Sequence, residues 1–144
     1  MTTRQKKRIL YILGILFTIS FFLPAVYSMH DMLFGIHCAV YVVMGLIIDL
    51  DSQDFQTILF DIFLILPNLL MILAFLFHKK FPPLLKYFFL LIVFLSAGSW
   101  SINFGANVSF TSDLYIGYWL WFLSSTSFML IAAIPAKKQP KILD

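Results

Sequence analysis

The sequence predicts an all-α membrane protein, a bundle of four transmembrane helices with an external re-entrant or interfacial helix between the first and second. Three observations predict it. Of 144 residues, 61% are hydrophobic and only 12% charged, against about 25% charged in soluble domains. Four apolar stretches are long enough to cross a hydrocarbon core of about 30 Å at 1.5 Å per residue. All ten Lys and Arg residues fall on one side of the bilayer when exactly those four stretches cross it. A soluble fold of this size could not hide so much apolar surface, since domains of ~150 residues bury only about 70% of it.

The first stretch runs from Ile9 to Tyr27 and follows a basic start, Arg4, Lys6, Lys7 and Arg8. Such a start also resembles a signal peptide, with Val26-Tyr27-Ser28 as a passable cleavage site. The apolar run is longer than a usual signal core, so the stretch is read as a retained span. Met32 to Ile48 is a marginal stretch carrying Gly35, His37, Cys38 and Gly45. Only Met29, His30 and Asp31 separate it from the first span, a tight turn for two full crossings. If it crossed, the four N-terminal cations would lie opposite the other six, against the positive-inside rule. Held outside, it dips into or lies on the membrane. The remaining spans run from Thr57 to Phe77, Leu84 to Phe104 and Tyr115 to Ala136. None shows the ten-residue alternation of a membrane β-barrel.

The connections agree with this order. His78-Lys79-Lys80-Phe81-Pro82-Pro83 makes a short cytoplasmic turn, its prolines stopping one helix and starting the next. Residues 105–114, rich in Ser, Asn, Gly and Thr, form an external loop. Asn107-Val108-Ser109 within it is a glycosylation sequon, meaningful only in a eukaryotic source. Both termini are expected in the cytoplasm. The order of parts is similar to that of many small bacterial inner-membrane proteins, which makes such a membrane the expected location and implies no activity.

Few residues carry chemistry. Asp61 and Asn68 share a face of the second span, seven residues apart, with Thr57 extending the stripe. Asp61 is expected about one turn, roughly 6 Å, inside the outer boundary. Asn68 follows Pro67, which cannot donate to the Phe63 carbonyl, so that acceptor needs a partner from a neighbouring helix or water. Two readings stand for the pair: an ion or proton relay, or interhelical hydrogen bonding, with Asn68 reaching a serine on span three or four. Ser96, Trp100 and Asn103 share a face of the third span, and Ser124 heads a hydroxyl run in the fourth. Small residues and hydroxyls of this kind favour a tightly packed bundle over a conduction path. Tyr115, Tyr118, Trp119 and Trp121 read as an aromatic belt at the outer headgroup level.

At the outer face His30, Asp31, His37 and Cys38 have metal-ligand residue types, but their spacing matches no zinc pattern. Tyr41 would join the aromatic cluster of the third and fourth spans in an alternative reading of it as an external pocket. Asp49, Asp51 and Asp54 lack the glycine and terminal Glu of a calcium loop. No metal site, cofactor or catalytic group is therefore assigned, and one cysteine excludes an internal disulfide. The formal charge of +3 sits in clusters beside apolar spans, which points to anionic lipid headgroups at the cytoplasmic face and away from nucleic acid. The expected function is that of a non-enzymatic accessory, assembly or interaction protein; the partners expected besides lipid are a membrane protein, which favours this reading, or a homo-oligomer, which favours the first alternative. The alternatives are a transporter or channel subunit acting as an oligomer, and a membrane enzyme with an external-face site.

Overall fold

The computed structural model describes residues 1–28, 31–52, 55–77, 80–105 and 114–135, excepting the side chains of residues 28, 31, 52 and 100–105. Among these, five helices and one short hairpin follow in the order α1 (Thr3–Ser20), β1 (Pro24–Ser28), β2 (Asp31–Phe34), α2 (Gly35–Ser52), α3 (Phe55–Phe77), α4 (Pro83–Gly105) and α5 (Ile116–Ala133). Two of the helices, α3 and α5, are long and apolar enough to cross a bilayer, with mean hydropathies of 2.5 and 1.4. In α4 the apolar stretch runs from Pro83 to Ser99.

Helix α1 starts on a capping box: Thr2 Oγ1 accepts from Gln5 N at 3.2 Å, and Gln5 Oε1 accepts from Thr2 N at 2.9 Å. It ends at Ser20, about two turns short of the expected boundary at Tyr27. Phe21, Phe22 and Leu23 tighten into i→i−3 hydrogen bonds, and Pro24 has no N–H with which to continue the ladder. The chain then turns extended. Strand β1 pairs antiparallel with β2, with an irregularity between Pro24 and Val26, and Val26 also bridges to Leu114. Among the described residues the fold is thus helical apart from these paired strands, which take in the end of the first apolar stretch and the start of the second.

The hairpin places two helix ends against each other. Gly35 N donates to Leu23 O at 3.1 Å and Ile36 N to Phe21 O at 2.9 Å, so the first N–H groups of α2 satisfy carbonyls left open at the end of α1. Opposite dipole ends meet there, which favours the junction. The approach needs glycine at position 35: a Cβ there would lie 2.6 Å from Ser20 O and 2.9 Å from Phe21 Cα. The second apolar segment therefore becomes helical at Gly35 rather than Met32, and continues beyond Ile48 to Ser52.

Helix α5 is central, packing on α1, α3, α4 and β1. Leu10 and Phe17 of α1, Leu70, Met71 and Ala74 of α3, Val93 of α4 and Phe128, Met129 and Ala132 of α5 make one buried core. Ala25, Val26, Leu114 and Tyr118 make a second beneath the hairpin. Helix directions follow from the pairings. Lys6 Nζ, near the start of α1, donates to Ala132 O at 2.9 Å and to Ile134 O at the end of α5, where a cation complements the dipole. Gly117, at the start of α5, lies against the backbone of Leu23 and Pro24. Ser96 of α4 meets Phe63 of α3, and Tyr118 of α5 meets Ala97 of α4. Helix α1 is antiparallel to α5, α3 to α4, and α4 to α5. One end of the bundle carries Lys6, Lys7 and Lys86; Asp49, Asp51 and Asp61 belong to the other.

Candidate functional site

The polar residues of α3, α4 and α5 converge near the middle of the bundle. Trp121 Nε1 donates to Asn68 Oδ1 at 2.8 Å. Ser96 Oγ donates to the Phe63 carbonyl, the acceptor that Pro67 leaves without its helical N–H four residues on. Tyr118 Oη donates to Ala97 O at 2.9 Å. Ser124 Oγ returns to Trp121 O at 3.2 Å and Ser125 Oγ to Phe122 O at 3.1 Å, within their own helix. Each interhelical bond ties α3 or α4 to a neighbour, in surroundings where an open polar group is costly.

Asn68 and Trp121 also line a cavity of about 300 Å³, bounded by Ser20, Gly35, Cys38, Val42 and Leu64 among others. Its walls are almost wholly apolar. Helix α2 closes one side, with its first turn beside the middle of α3, while Gly45 lies 3.5 Å, from an ideal Cβ, from Asp61 Oδ2. The α2 helix therefore runs antiparallel to α3 and ends beside the start of that helix.

Asp61 sits at this junction. Its carboxyl is hydrogen-bonded to that of Asp49 on α2, while Oδ2 is buried without a hydrogen-bond partner among the described residues. Thr57, expected on the same stripe, also has an interaction partner.

The outer-face candidates do not converge. His37 Nδ1 accepts from Phe34 N at 3.4 Å, and its ring meets the Phe34 ring edge-on with centroids 5.8 Å apart. Cys38 lines the cavity, and Tyr41 is exposed on α2. His30 lies outside the described residues, as do the side chains of Asp31, Trp100 and Asn103. Among the described residues no three His, Cys, Asp or Glu side chains are grouped to hold a metal ion.

Sequence reasoning found Asn68 and Ser96 but placed Trp121 in the aromatic belt. The signal for its inward position was present: Gly117, Tyr118, Ser124, Ser125 and Phe128 recur at helical spacing, and all are buried. Trp121 lies on that stripe, whereas Trp119, two residues away, is 42% exposed. Asn68 was expected to meet a serine; it meets the indole, and the serine goes to the Phe63 carbonyl. No known protein family, curated protein or solved structure matches this chain.

Proposed function

We propose that the chain is a four-span membrane protein that acts through its helix surfaces, as an accessory, assembly or interaction protein rather than an enzyme. The observation that carries this reading is the use made of the polar residues in its middle: Asn68 is taken up by Trp121, Ser96 by the Phe63 carbonyl and Ser124 by its own helix. A conduction path needs polar groups left free to meet a solute, whereas a packed bundle uses them between helices. Helices α1, α3, α4 and α5 supply the four crossings, alternating in direction, with the basic end in the cytoplasm. Helix α2 is the re-entrant segment: it starts beside the middle of α3, its end groups satisfied by α1, and runs outward to Asp49 and Asp51. Its outward side chains, among them Val40, Met44, Ile47 and Leu50, are apolar and exposed, a surface suited to lipid or to a partner helix.

Affinity purification in mild detergent, with identification of co-purifying chains, tests this. A stoichiometric membrane-protein partner supports the reading; a clean homo-oligomer counts against it. The second reading, an oligomeric transporter or channel subunit, draws on the Asp49–Asp61 pair and the open Asp61 Oδ2. Under it Asp61→Asn abolishes flux in reconstituted vesicles, and unchanged flux removes Asp61 from any conduction mechanism.

A further inference from the structure

Helices α1 and α3 both pack on α5, but they touch each other chiefly through Phe75, whose ring meets Tyr11 edge-on with centroids 6.1 Å apart. A slot remains between them. At the basic end it is a cavity of about 420 Å³ whose lining includes Lys6, Lys7 and Lys86. Tyr11, Phe75 and Leu76 lead from there into an apolar groove of about 400 Å³ along α1 and α3. Ile72 in turn belongs both to this groove and to the cavity beside Asn68 and Trp121. From Leu76 to Ile65 the apolar path follows α3 for about 16 Å at helical rise.

We infer that this slot binds one anionic phospholipid, its phosphate among Lys6, Lys7 and Lys86 and one acyl chain along the α1–α3 groove. The inference rests on the membrane-embedded reading above and assigns that protein a specific lipid. Charge complementarity selects the occupant. Three cations line one end of the slot, and the described carboxyl groups, Asp49, Asp51 and Asp61, belong to the opposite end of the bundle. The cations act on one another: burial, then the Lys86 charge, pulls the Lys6 ammonium below the ordinary lysine pKa. A phosphate would offset that repulsion. Lys6 spends two of its three N–H donors on α5 carbonyls and keeps one for an oxygen. The rest of the slot offers a ligand almost nothing polar, which gives a sugar no partners and suits a hydrocarbon chain. A second protein helix is too wide, at about 10 Å across, for a gap that Phe75 already bridges.

Native mass spectrometry of the full chain, released from detergent and titrated with phosphatidylglycerol or phosphatidylcholine of identical chains, tests this. The wild type should retain phosphatidylglycerol about 30-fold more tightly, or more, since Lys7 and Lys86 alone contribute about 1 kcal/mol each toward an anionic headgroup. Lys7→Gln with Lys86→Gln should cut that preference to a few-fold, the remainder belonging to Lys6, which is kept for its hold on α5. Arg4→Gln with Arg8→Gln removes the same charge from exposed positions outside the slot and should leave the preference intact. Ile72→Trp or Ile15→Trp, on opposite walls of the groove, should weaken both lipids about equally, each variant first shown to keep the wild-type melting point. Equal retention of the two lipids by the wild type overturns the inference. So does an arginine pair that matters as much as the lysine pair, or folded tryptophan variants that bind normally. Alkaline carbonate extraction of native membranes separates the two proposals: a chain that washes off defeats the membrane reading, whereas a retained chain without lipid preference defeats this inference alone.

Discussion

The indole nitrogen of Trp121 and the amide oxygen of Asn68 are 2.8 Å apart, and their hydrogen bond fastens the central helix α5 to the midpoint of α3. Both residues are half-buried, and both face the same apolar cavity. Removing either partner leaves the other open in surroundings where water is scarce. Asn68→Leu and Trp121→Phe should each lower stability by about 1 kcal/mol, the scale of interhelical hydrogen bonds in membranes. The double variant should cost less than the sum of the two, because the second substitution finds the bond already gone. Reversible unfolding in mixed micelles against added denaturing detergent measures all three. Additive losses would mean that the bond contributes nothing beyond packing.

Ser96 and Pro67 act on one acceptor, the Phe63 carbonyl. Proline withdraws the N–H that would have met it, and the serine hydroxyl of α4 replaces that donor. Ser96→Ala in the native background should therefore cost about 1 kcal/mol. In a Pro67→Leu background the helix supplies its own donor, and the same serine substitution should be close to neutral. The measurement is the same unfolding titration. An equal cost in both backgrounds would show that the hydroxyl matters by its volume and not by its bond.

The Phe63–Ser96 pairing also shows how far the sequence was legible. Proline chemistry is local: the lost donor and the orphaned carbonyl sit four residues apart, so the need for an outside partner can be read without a structure. The lengths and apolar character of α3 and α5 are local as well. The hairpin from Pro24 to Phe34 is not. Its strands pair with each other, but what fixes them in place is contact with Leu114 and Tyr115 about 90 residues away, together with the N–H groups of α2. The two helix ends that satisfy each other there looked from the sequence like one long span followed by a separate segment. Trp121 illustrates the same limit, since a belt residue and a core residue have identical side chains and differ only in which stripe of the helix meets a neighbour.

Three glycines should respond to alanine in opposite senses. A Cβ on Gly117 would lie 2.5 Å from Pro24 O and 2.7 Å from Leu23 O, and one on Gly35 would lie 2.6 Å from Ser20 O. These neighbours are backbone atoms, which cannot swing aside as a side chain can. Gly117→Ala and Gly35→Ala should each cost about 2–3 kcal/mol, the upper range for overpacking. A Cβ on Gly98 meets nothing within 4 Å. Gly98→Ala should instead raise stability by about 0.5–1 kcal/mol through the lower backbone entropy of the unfolded chain. Melting temperatures of the three purified variants distinguish the cases.

The depth of α2 separates a re-entrant helix from one lying on the surface. Cys38 is the sole cysteine, so Cys38→Ser provides a thiol-free background for single cysteines. Along a surface helix, positions reactive toward a membrane-impermeant maleimide recur every three or four residues from one end to the other, because one face stays in water throughout. A re-entrant helix loses reactivity with depth whatever the face. Leu50, Met44, Val40 and Ile36 are all exposed on the protein, so differences among cysteines placed there report the bilayer and not the fold. If α2 begins beside the middle of α3, labelling in intact cells should be fast for Leu50→Cys, fall at Met44→Cys and Val40→Cys, and vanish at Ile36→Cys. Arg4→Cys, at the basic end, should react only after permeabilisation. Fast labelling of Ile36→Cys from outside would place the start of α2, and with it the junction to α1, at the membrane surface.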